Sequence, residues 1–405
     1  VPEAVIVATA RSPIGRARKG SLKDVRPDDL AAQMIRAALD QVPELDPSTI
    51  DDLQLGCAIP EGYQGGNLAR TVAIRLGLDS VPGATVTRFC ASSIQTTRAA
   101  FHAIASGEAR AVISAGVESI SLSSGKLMEE DARNPQFREA WERTDKRASR
   151  EVPAPWHDPR EDGELPDAYI QMGQTAENVA ELRGISRAAQ DEYAVRSQNR
   201  AEAAKAAGFF DRDITPVTLP DGTVISADDS PRAGVTLDAA AGLDPVFRPD
   251  GTVTAGNCCP LNDGAAALVI MEAEYAKELG ITPLARVVAT GVSGLSPEIM
   301  GLGPVEATRR ALALADLTID DIDLVELNEA FAAQVIPSAE DLGIDHDKLN
   351  VHGGAIALGH PWGSTGARLT TTLLNGLRER EGRFGLATLC VGGGQGMALI
   401  IERMS

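Results

Sequence analysis

The sequence predicts an α/β protein built from two related halves, and three observations carry that prediction. Short apolar runs alternate with amphipathic stretches of helical period, the pattern of strands covered by helices. The alternation is interrupted once, from about Leu122 to Val253, by a stretch rich in charge and proline that holds Trp141 and Trp156. Each half also sets a cysteine after a strand-like run, at Cys90 and at Cys390, so that related halves would bring two turns face to face.

The elements follow in order. Ala4 to Ala8 reads as a strand. Pro27 to Leu39 reads as a helix, because Leu30, Ala31, Met34, Ile35 and Ala38 recur on one face. Asp51 to Gly56 and Ala84 to Val86 are strand-like, Asn67 to Leu76 and Ile94 to Ile104 helical, and Ala111 to Ala115 a buried strand. Within the interrupting stretch one helix is clear, Ser186 to Ala206. The α/β pattern resumes at Ala265 to Met271. A second half then runs from strand Ala285 to Ala289 through helix Pro304 to Ala315, whose proline stands near its start. Strands Ile322 to Glu326, Leu386 to Cys390 and Met397 to Glu402 complete it. The halves divide as 1–272 and 273–405.

Composition excludes several classes. The 405 residues are 43% apolar, enough for two core-forming halves, and carry a formal net charge of -19. So acidic a surface does not suit nucleic acid or anionic membrane, both of which need a basic face. No apolar run reaches membrane-spanning length. The start, Val1-Pro-Glu-Ala, lacks the basic and apolar regions of a signal peptide. Five cysteines in this length make no disulfide framework, and no C-x-x-C or other metal spacing occurs. A reducing, cytoplasmic compartment and no metal are expected.

Three residues sit in settings that suit catalysis. Cys90 lies in Thr87-Arg-Phe-Cys-Ala-Ser-Ser93, between a strand and a helix. A thiol there is activated by the helix N-terminus or by an adjacent imidazole. His360 lies in Gly353-Gly-Ala-Ile-Ala-Leu-Gly-His-Pro361, and Cys390 in Thr388-Leu-Cys-Val-Gly-Gly-Gly394. A cysteine nucleophile splits one acyl transfer into two easier ones, and a second thiol can move a proton at the carbon next to a thioester. Glycines such as Gly392 let backbone N–H groups approach a substrate oxygen. Each residue also has a plainer reading, since a lone buried cysteine is ordinarily core filler. Gly392-Gly-Gly-Gln-Gly396 lacks the Lys-Ser/Thr of a phosphate loop. Cys57 reads as core.

With these segments the chain resembles the thiolase family, the acetyl-CoA C-acyltransferases and C-acetyltransferases. The resemblance runs through Ala10-Arg-Ser-Pro-Ile-Gly15, the Cys90 segment, Ala115-Gly-Val-Glu-Ser119, Met172-Gly-Gln-Thr-Ala-Glu-Asn178, Thr254-Ala-Gly-Asn257, Asn262-Asp-Gly-Ala-Ala266, Asn328-Glu-Ala-Phe331, Gly353 to Pro361 and Cys390 to Gly394. It implies two βαβαβαββ-like halves in five layers, helix–sheet–helix–sheet–helix, with a loop domain at about 122–253 inserted in the first. It implies that Cys90 is acylated, that His360 lowers its pKa and helps bind the thioester oxygen, and that Asn328 holds a water in a first oxyanion hole. Cys390 would shuttle the proton, and the N–H groups of Cys90 and Gly392 would form a second oxyanion hole. Met172, Arg232, Ala255, Cys259, Ala330 and Phe331 would contact substrate or CoA. CoA is then a co-substrate, with no cofactor held permanently. The resemblance also implies a homodimer or homotetramer and leaves room for a β-oxidation partner subunit.

Some positions depart from the family pattern. Gln171 stands where many short-chain biosynthetic members have histidine. Cys258-Cys259-Pro260 replaces a small Ala-Ser-Gly-like run, Ala-Ser-Ser follows Cys90 in place of Gly-Ser-Gly, and His352 replaces asparagine. Cys258 and Cys259 read equally as pocket wall or packing, Arg232 as a CoA contact or a surface arginine, and Asn328 also as a helix N-cap. His352 reads as a local hydrogen-bond partner more readily than a catalytic group. The leading expectation is CoA-dependent cleavage of 3-ketoacyl-CoA in fatty-acid β-oxidation. The alternatives are a biosynthetic acetoacetyl-CoA thiolase, a decarboxylating ketoacyl synthase (against which Cys390 argues) and a non-catalytic lipid carrier or scaffold subunit.

Overall fold

A computed structural model describes residues 1–124, 130–149 and 156–405. Nine strands form one hydrogen-bonded path: β1 Ala4–Arg11, β2 Asp52–Gly56, β3 Gly83–Val86, β4 Ala111–Ser119, β5 Asn262–Glu272, β6 Ala285–Gly294, β7 Leu324–Leu327, β8 Phe384–Val391 and β9 Gln395–Arg403. Their order is β7-β8-β9-β6-β1-β5-β4-β2-β3. The first half runs β1-β5-β4-β2 with antiparallel, antiparallel and parallel pairings. The second half repeats this in β6-β9-β8-β7. Only two residue pairs join the halves across β1 and β6, Val5 with Arg286 and Ile6 with Ala285.

The main helices are α1 Pro27–Leu39, α2 Leu68–Arg75, α3 Ser92–Ala105, α4 Arg138–Ala148, α5 Met172–Arg183, α6 Arg187–Ala206, α7 Gly303–Ala315, α8 Ala332–Leu342 and α9 Trp362–Glu379. In α1 the proline opens the helix, Asp28 and Asp29 face its positive end and Arg36 its negative end.

Strand alternation divides the core into layers. In β5, Ala265, Ala267, Val269 and Met271 pack with α1 and α2, while Ala266, Leu268 and Ile270 face the other way. In β8, Leu386 faces the side of α7 and α8, while Ala387, Leu389 and Val391 face inward. The two inward faces meet around α3 and α9, whose Ile94, Ala100, Ile104, Leu369, Leu373 and Leu377 fill the space between them. The result is five layers, as expected, with α3 and α9 as the middle one. Each of these leucines and isoleucines contributes about 1.5–3 kcal/mol on burial.

The inserted stretch differs from its sequence reading. It holds α4 and α5 beside α6, where one helix was expected. Gly173 to Ala180 of α5 are all buried, the polar Gln174, Thr175, Glu177 and Asn178 among them, so its burial does not follow the polar pattern of the sequence. Residues 125–129 and 150–155 of this stretch lie outside the described residues. The remainder is tied to the core by buried charges. Arg11, at the end of β1, donates from Nε to Asp213 Oδ2 (2.8 Å) and from Nη1 to Asp228 Oδ1 (2.6 Å). Glu298 accepts the Trp156 indole N–H at 2.7 Å and the Asp167 N–H at 2.8 Å.

A further correction concerns symmetry. Cys90 stands just before α3, and the corresponding place before α9 is taken by His360. Cys390 lies inside β8, whose counterpart in the first half is β4. The two cysteines therefore do not occupy equivalent turns.

Candidate active site

The first turns of α3 and α9 cross closely enough to bring Cys90 and His360 to one end of the middle layer. A side chain at Gly366 would put its Cβ 2.5 Å from Ile94, so only glycine admits this approach. The Ser93 hydroxyl accepts the Ala367 N–H at 2.9 Å across the crossing.

Cys90 lies in a single 3-10 turn, Phe89–Ala91, leading into α3. Phe89 has φ +43°, strained for an aromatic residue and worth about 1–3 kcal/mol. The Ser92 hydroxyl closes this turn, accepting the Arg88 N–H at 2.9 Å and donating to the Phe89 carbonyl at 2.6 Å. Burial pushes the Cys90 thiol up to about 12, against the opposing pull of the Gly392 N–H.

His360 is buried, and both ring nitrogens are engaged. Nδ1 lies 2.7 Å from Thr365 Oγ1, and Nε2 lies 3.3 Å from Asn328 Nδ2. The Thr365 hydroxyl donates to the Pro361 carbonyl at 3.1 Å, so Nδ1–H donates to Thr365 and Nε2 carries the lone pair. Burial, then the charge of Arg368, lowers the imidazole to about 3. Burial thus works against charge on both the thiol and the imidazole.

Asn328 follows β7, with its N–H donated to the Thr388 carbonyl at 2.9 Å. It is not a helix cap, because Phe331 occupies the N-cap of α8. Its Oδ1 is buried with no hydrogen-bond partner among the described residues, an acceptor left for a ligand or water.

Two backbone segments converge beside it. Cys258 bridges to Phe331, the Cys259 N–H donates to the Ala330 carbonyl at 3.0 Å, and Ala332 N–H reaches the Asn257 carbonyl at 2.9 Å. Burial holds Cys259 and Cys390 well above the usual thiol range, and the neighbouring sulfurs raise them further: Cys258, Cys90 and Cys390 act on Cys259, and Cys90 acts on Cys390. Cys90, Cys258 and Cys390 thus all lie near enough to Cys259 to act on it. Cys390 belongs to a hydrophobic cluster with Val253, Met300, Ala330, Phe331 and Ala333, against which Met172, Phe247 and Cys258 pack.

Met172 opens α5 over the glycine turn. A Cβ at Gly392 would lie 3.6 Å from its sulfur and 3.6 Å from the Phe89 ring. Arg232 and Ala255 are exposed. The Arg232 N–H donates to Gln198 Oε1 at 3.0 Å, and no hydrogen bond of its guanidinium is recorded among the described residues. His352 lies away from this chemistry, stacked on Phe209 with centroids 3.6 Å apart and 2.6 Å from Glu379 Oε2. Cys57 is buried beside Glu118.

Three supporting residues went unrecognised in sequence. Thr365 holds the His360 ring. Asn262 accepts the His360 N–H at 2.9 Å through Oδ1. Glu118, fully buried, accepts from Ala58 N–H, Gly363 N–H and Gln64 Nε2, each at 2.8 Å, pinning the start of α9. Asn262 and Glu118 stand in quoted motifs, whereas Thr365 carried only one signal, a hydroxyl one turn past a histidine.

The arrangement offers a thiol nucleophile, a neutral imidazole whose Nε2 lone pair faces Asn328, a second thiol and two backbone N–H groups. That set serves acyl transfer with proton movement at a neighbouring carbon. Among the described residues no three His, Cys, Asp or Glu side chains converge as a metal site. No helix of the described residues is long and apolar enough to cross a membrane.

Comparison with known proteins agrees with this geometry. Residues 4–274 match the family model described as thiolase, N-terminal domain, and residues 281–403 match thiolase, C-terminal domain. Beta-ketoadipyl-CoA thiolase of Pseudomonas aeruginosa is 45% identical over 410 residues, covering 99% of each chain. 3-Ketoacyl-CoA thiolase of Bacillus subtilis is 42% identical and acetyl-CoA acetyltransferase of Cupriavidus necator 43%, each over 99% of both chains. Among solved structures, Bacillus anthracis acetyl-CoA acetyltransferase is 40% identical with a TM-score of 0.87, covering 100% of this chain and 99% of that one. Human mitochondrial 3-ketoacyl-CoA thiolase is 36% identical with a TM-score of 0.85 over the same shares.

Proposed function

This chain belongs to the thiolase family, and on that premise we propose that it is an acyltransferase that cleaves 3-ketoacyl-CoA with CoA, in the breakdown of fatty-acyl chains. The observation that carries the breakdown role is the hydrophobic cluster that takes in Cys390, Met300 and Phe331, with Met172 and Phe247 packed against it, which suits an uncharged acyl chain. The exposed Gln171, in place of a histidine, weighs against a dedicated acetoacetyl-CoA enzyme.

In this reading Cys90 gives its proton to His360 Nε2 and attacks the 3-keto carbon. The oxygen becomes an oxyanion facing the N–H groups of Cys90 and Gly392. The C2–C3 bond breaks, and its electron pair leaves with acetyl-CoA as an enolate. His360, with a water on Asn328, holds the enolate oxygen, and Cys390 gives the enolate carbon a proton. Cys390, now a thiolate, takes the proton of incoming CoA, whose sulfur attacks acyl-Cys90. The released Cys90 thiolate recovers its proton from His360. Thiol and imidazole that rest uncharged separate charge only once substrate has displaced water. Arg232, Ala255, Cys259, Ala330 and Phe331 line the path of CoA, and no cofactor is held permanently.

The chain works as two halves, 1–272 and 273–405, with the insertion at about 122–253 shaping the acyl site. It acts as a homodimer or homotetramer in a reducing cytoplasm and receives 3-ketoacyl-CoA from the preceding oxidation enzyme.

The test is CoA-dependent cleavage of 3-ketoacyl-CoA of rising chain length, with a dicarboxylic member and Cys90→Ser as control. Activity on longer apolar chains supports the proposal. Activity on acetoacetyl-CoA alone moves the chain to the biosynthetic role. Preference for the dicarboxylic member moves it toward the activity named for the Pseudomonas relative. No Cys90-dependent cleavage leaves a carrier or scaffold.

A further inference from the structure

The turns that carry Cys90 and Gly392 come from different halves of the chain, and one side-chain hydrogen bond spans them. Arg88 Nη1 donates to Gln395 Oε1 at 2.7 Å. Arg88 stands two residues before Cys90, and Gln395 three residues after Gly392.

Each partner is fastened to its own turn. The Arg88 N–H donates to Ser92 Oγ at 2.9 Å, and its Nε donates to Gln95 Oε1, one turn into α3, at 2.9 Å. Gln395 opens β9 opposite Val391, and its Nε2 donates back to the Gly392 carbonyl at 3.3 Å. Between them Gly393 and Gly394 have φ of +76° and +79°, a turn that glycine forms without strain.

The charge of Arg88 has no carboxylate partner among the described residues, and its recorded side-chain hydrogen bonds go to two glutamines. Burial, and then the nearby cation Arg98, lower its pKa. A half-buried guanidinium used this way contributes geometry more than charge pairing. The planar fork reaches Gln95 and Gln395 together, which a single ammonium does not do from the same position.

We propose that Arg88 and Gln395 are positioning residues that clamp the two catalytic turns, fixing the strained Phe89 and aiming the Cys90 and Gly392 N–H groups at one oxygen. The inference rests on the reading above, in which those two N–H groups form one oxyanion hole. Phe89 supplies the second contact of the clamp. A Cβ at Gly392 would lie 3.6 Å from its ring and one at Gly393 3.7 Å, so the ring seats against the glycine turn. Without the Arg88–Gln395 bond, Phe89 has room to relax and the two donors separate.

The clamp predicts an uneven effect on two partial reactions. Exchange of labelled CoA into acyl-CoA passes through acyl-Cys90 and uses the Cys90–Gly392 hole. Exchange of the α-hydrogens of acetyl-CoA with deuterated water, on enzyme already acylated at Cys90, uses Asn328, His360 and Cys390. Arg88→Met and Gln395→Met should each slow CoA exchange about tenfold to a hundredfold. Both should change α-hydrogen exchange, and KM for acyl-CoA, by less than about threefold. The double variant should match the slower single variant, because both remove one bond. Arg88→Lys should fall between wild type and Arg88→Met, and it carries the same comparison if a methionine variant does not fold. Equal loss in both exchanges, no loss in either, or multiplied losses in the double variant would overturn the clamp. A wild-type protein that shows no CoA exchange would instead sink the thiolytic reading itself.

Discussion

Asn328 Nδ2 lies 3.3 Å from His360 Nε2, while the opposite ring nitrogen rests 2.7 Å from the Thr365 hydroxyl. The imidazole is thus gripped on both edges, and its lone pair is held on the side of Asn328. Its protonation state, its tautomer and its direction follow from these neighbours.

Thr365 should therefore matter without touching substrate. Thr365→Val keeps the shape but removes the acceptor for Nδ1–H. We expect kcat to fall about tenfold to a hundredfold, the equivalent of ~1.4–2.8 kcal/mol, with KM changed less than about twofold. Steady-state kinetics on a 3-ketoacyl-CoA checks this, and an unchanged kcat would remove Thr365 from the mechanism.

Alkylation of the free enzyme should report an unactivated thiol. Cys90 stands at about 12 and His360 at about 3, so neither is charged near neutrality. The iodoacetamide rate at Cys90 should rise about tenfold per pH unit between about pH 6 and 10, with no plateau. A plateau near neutral pH would reveal a thiolate–imidazolium pair in the resting state.

Glu326 gives a pH dependence of stability. Burial pushes its carboxyl up to about 8, against the pull of Arg368, whose Nη1 is 3.6 Å away. Between about pH 5 and 8 the unfolded chain has lost this proton while the folded chain keeps it, so stability falls as pH rises. Glu326→Gln removes that component. Thermal melts should show the variant gaining on wild type as pH climbs through this window, and parallel curves would count against it.

Arg11 should be costly to remove. It and Asp213 are both fully buried, and Asp228 shares the guanidinium. Arg11→Met leaves two buried carboxylates short of their cation, a loss of roughly 3–5 kcal/mol. Chemical denaturation measures the total, and hydrogen exchange over 213–228 should quicken first. A variant within about 1 kcal/mol of wild type would show that the insertion is held by other contacts.

Much of this was legible in the sequence where one face of an element is exposed. α1 shows its apolar stripe, and its bounds match the prediction. Cys90, His360 and Cys390 stood out because glycine-rich turns and a helix start surround them. What stayed hidden is what is buried on all sides. α5 carries the polar Gln174, Thr175, Glu177 and Asn178 into the interior, where residues of that kind read as surface, and α9 continues from Trp362 with Gly363, Ser364, Thr365 and Gly366, which by propensity read as loop. The equivalence of Cys90 with His360, not with Cys390, depends on strand order, which no local pattern carries. Asn328 looked like a cap because the start of α8 was not visible in the sequence.

The middle layer of α3 and α9 has a consequence for cooperativity. Its packing draws on both half-sheets, so neither half owns a complete interior. A chain nicked between β5 and β6 should hold together only while both pieces stay docked, and each piece alone should lose packing and reactivity in the same transition. Loss of turnover on heating should then coincide with loss of tertiary structure, making activity a direct gauge of global folding.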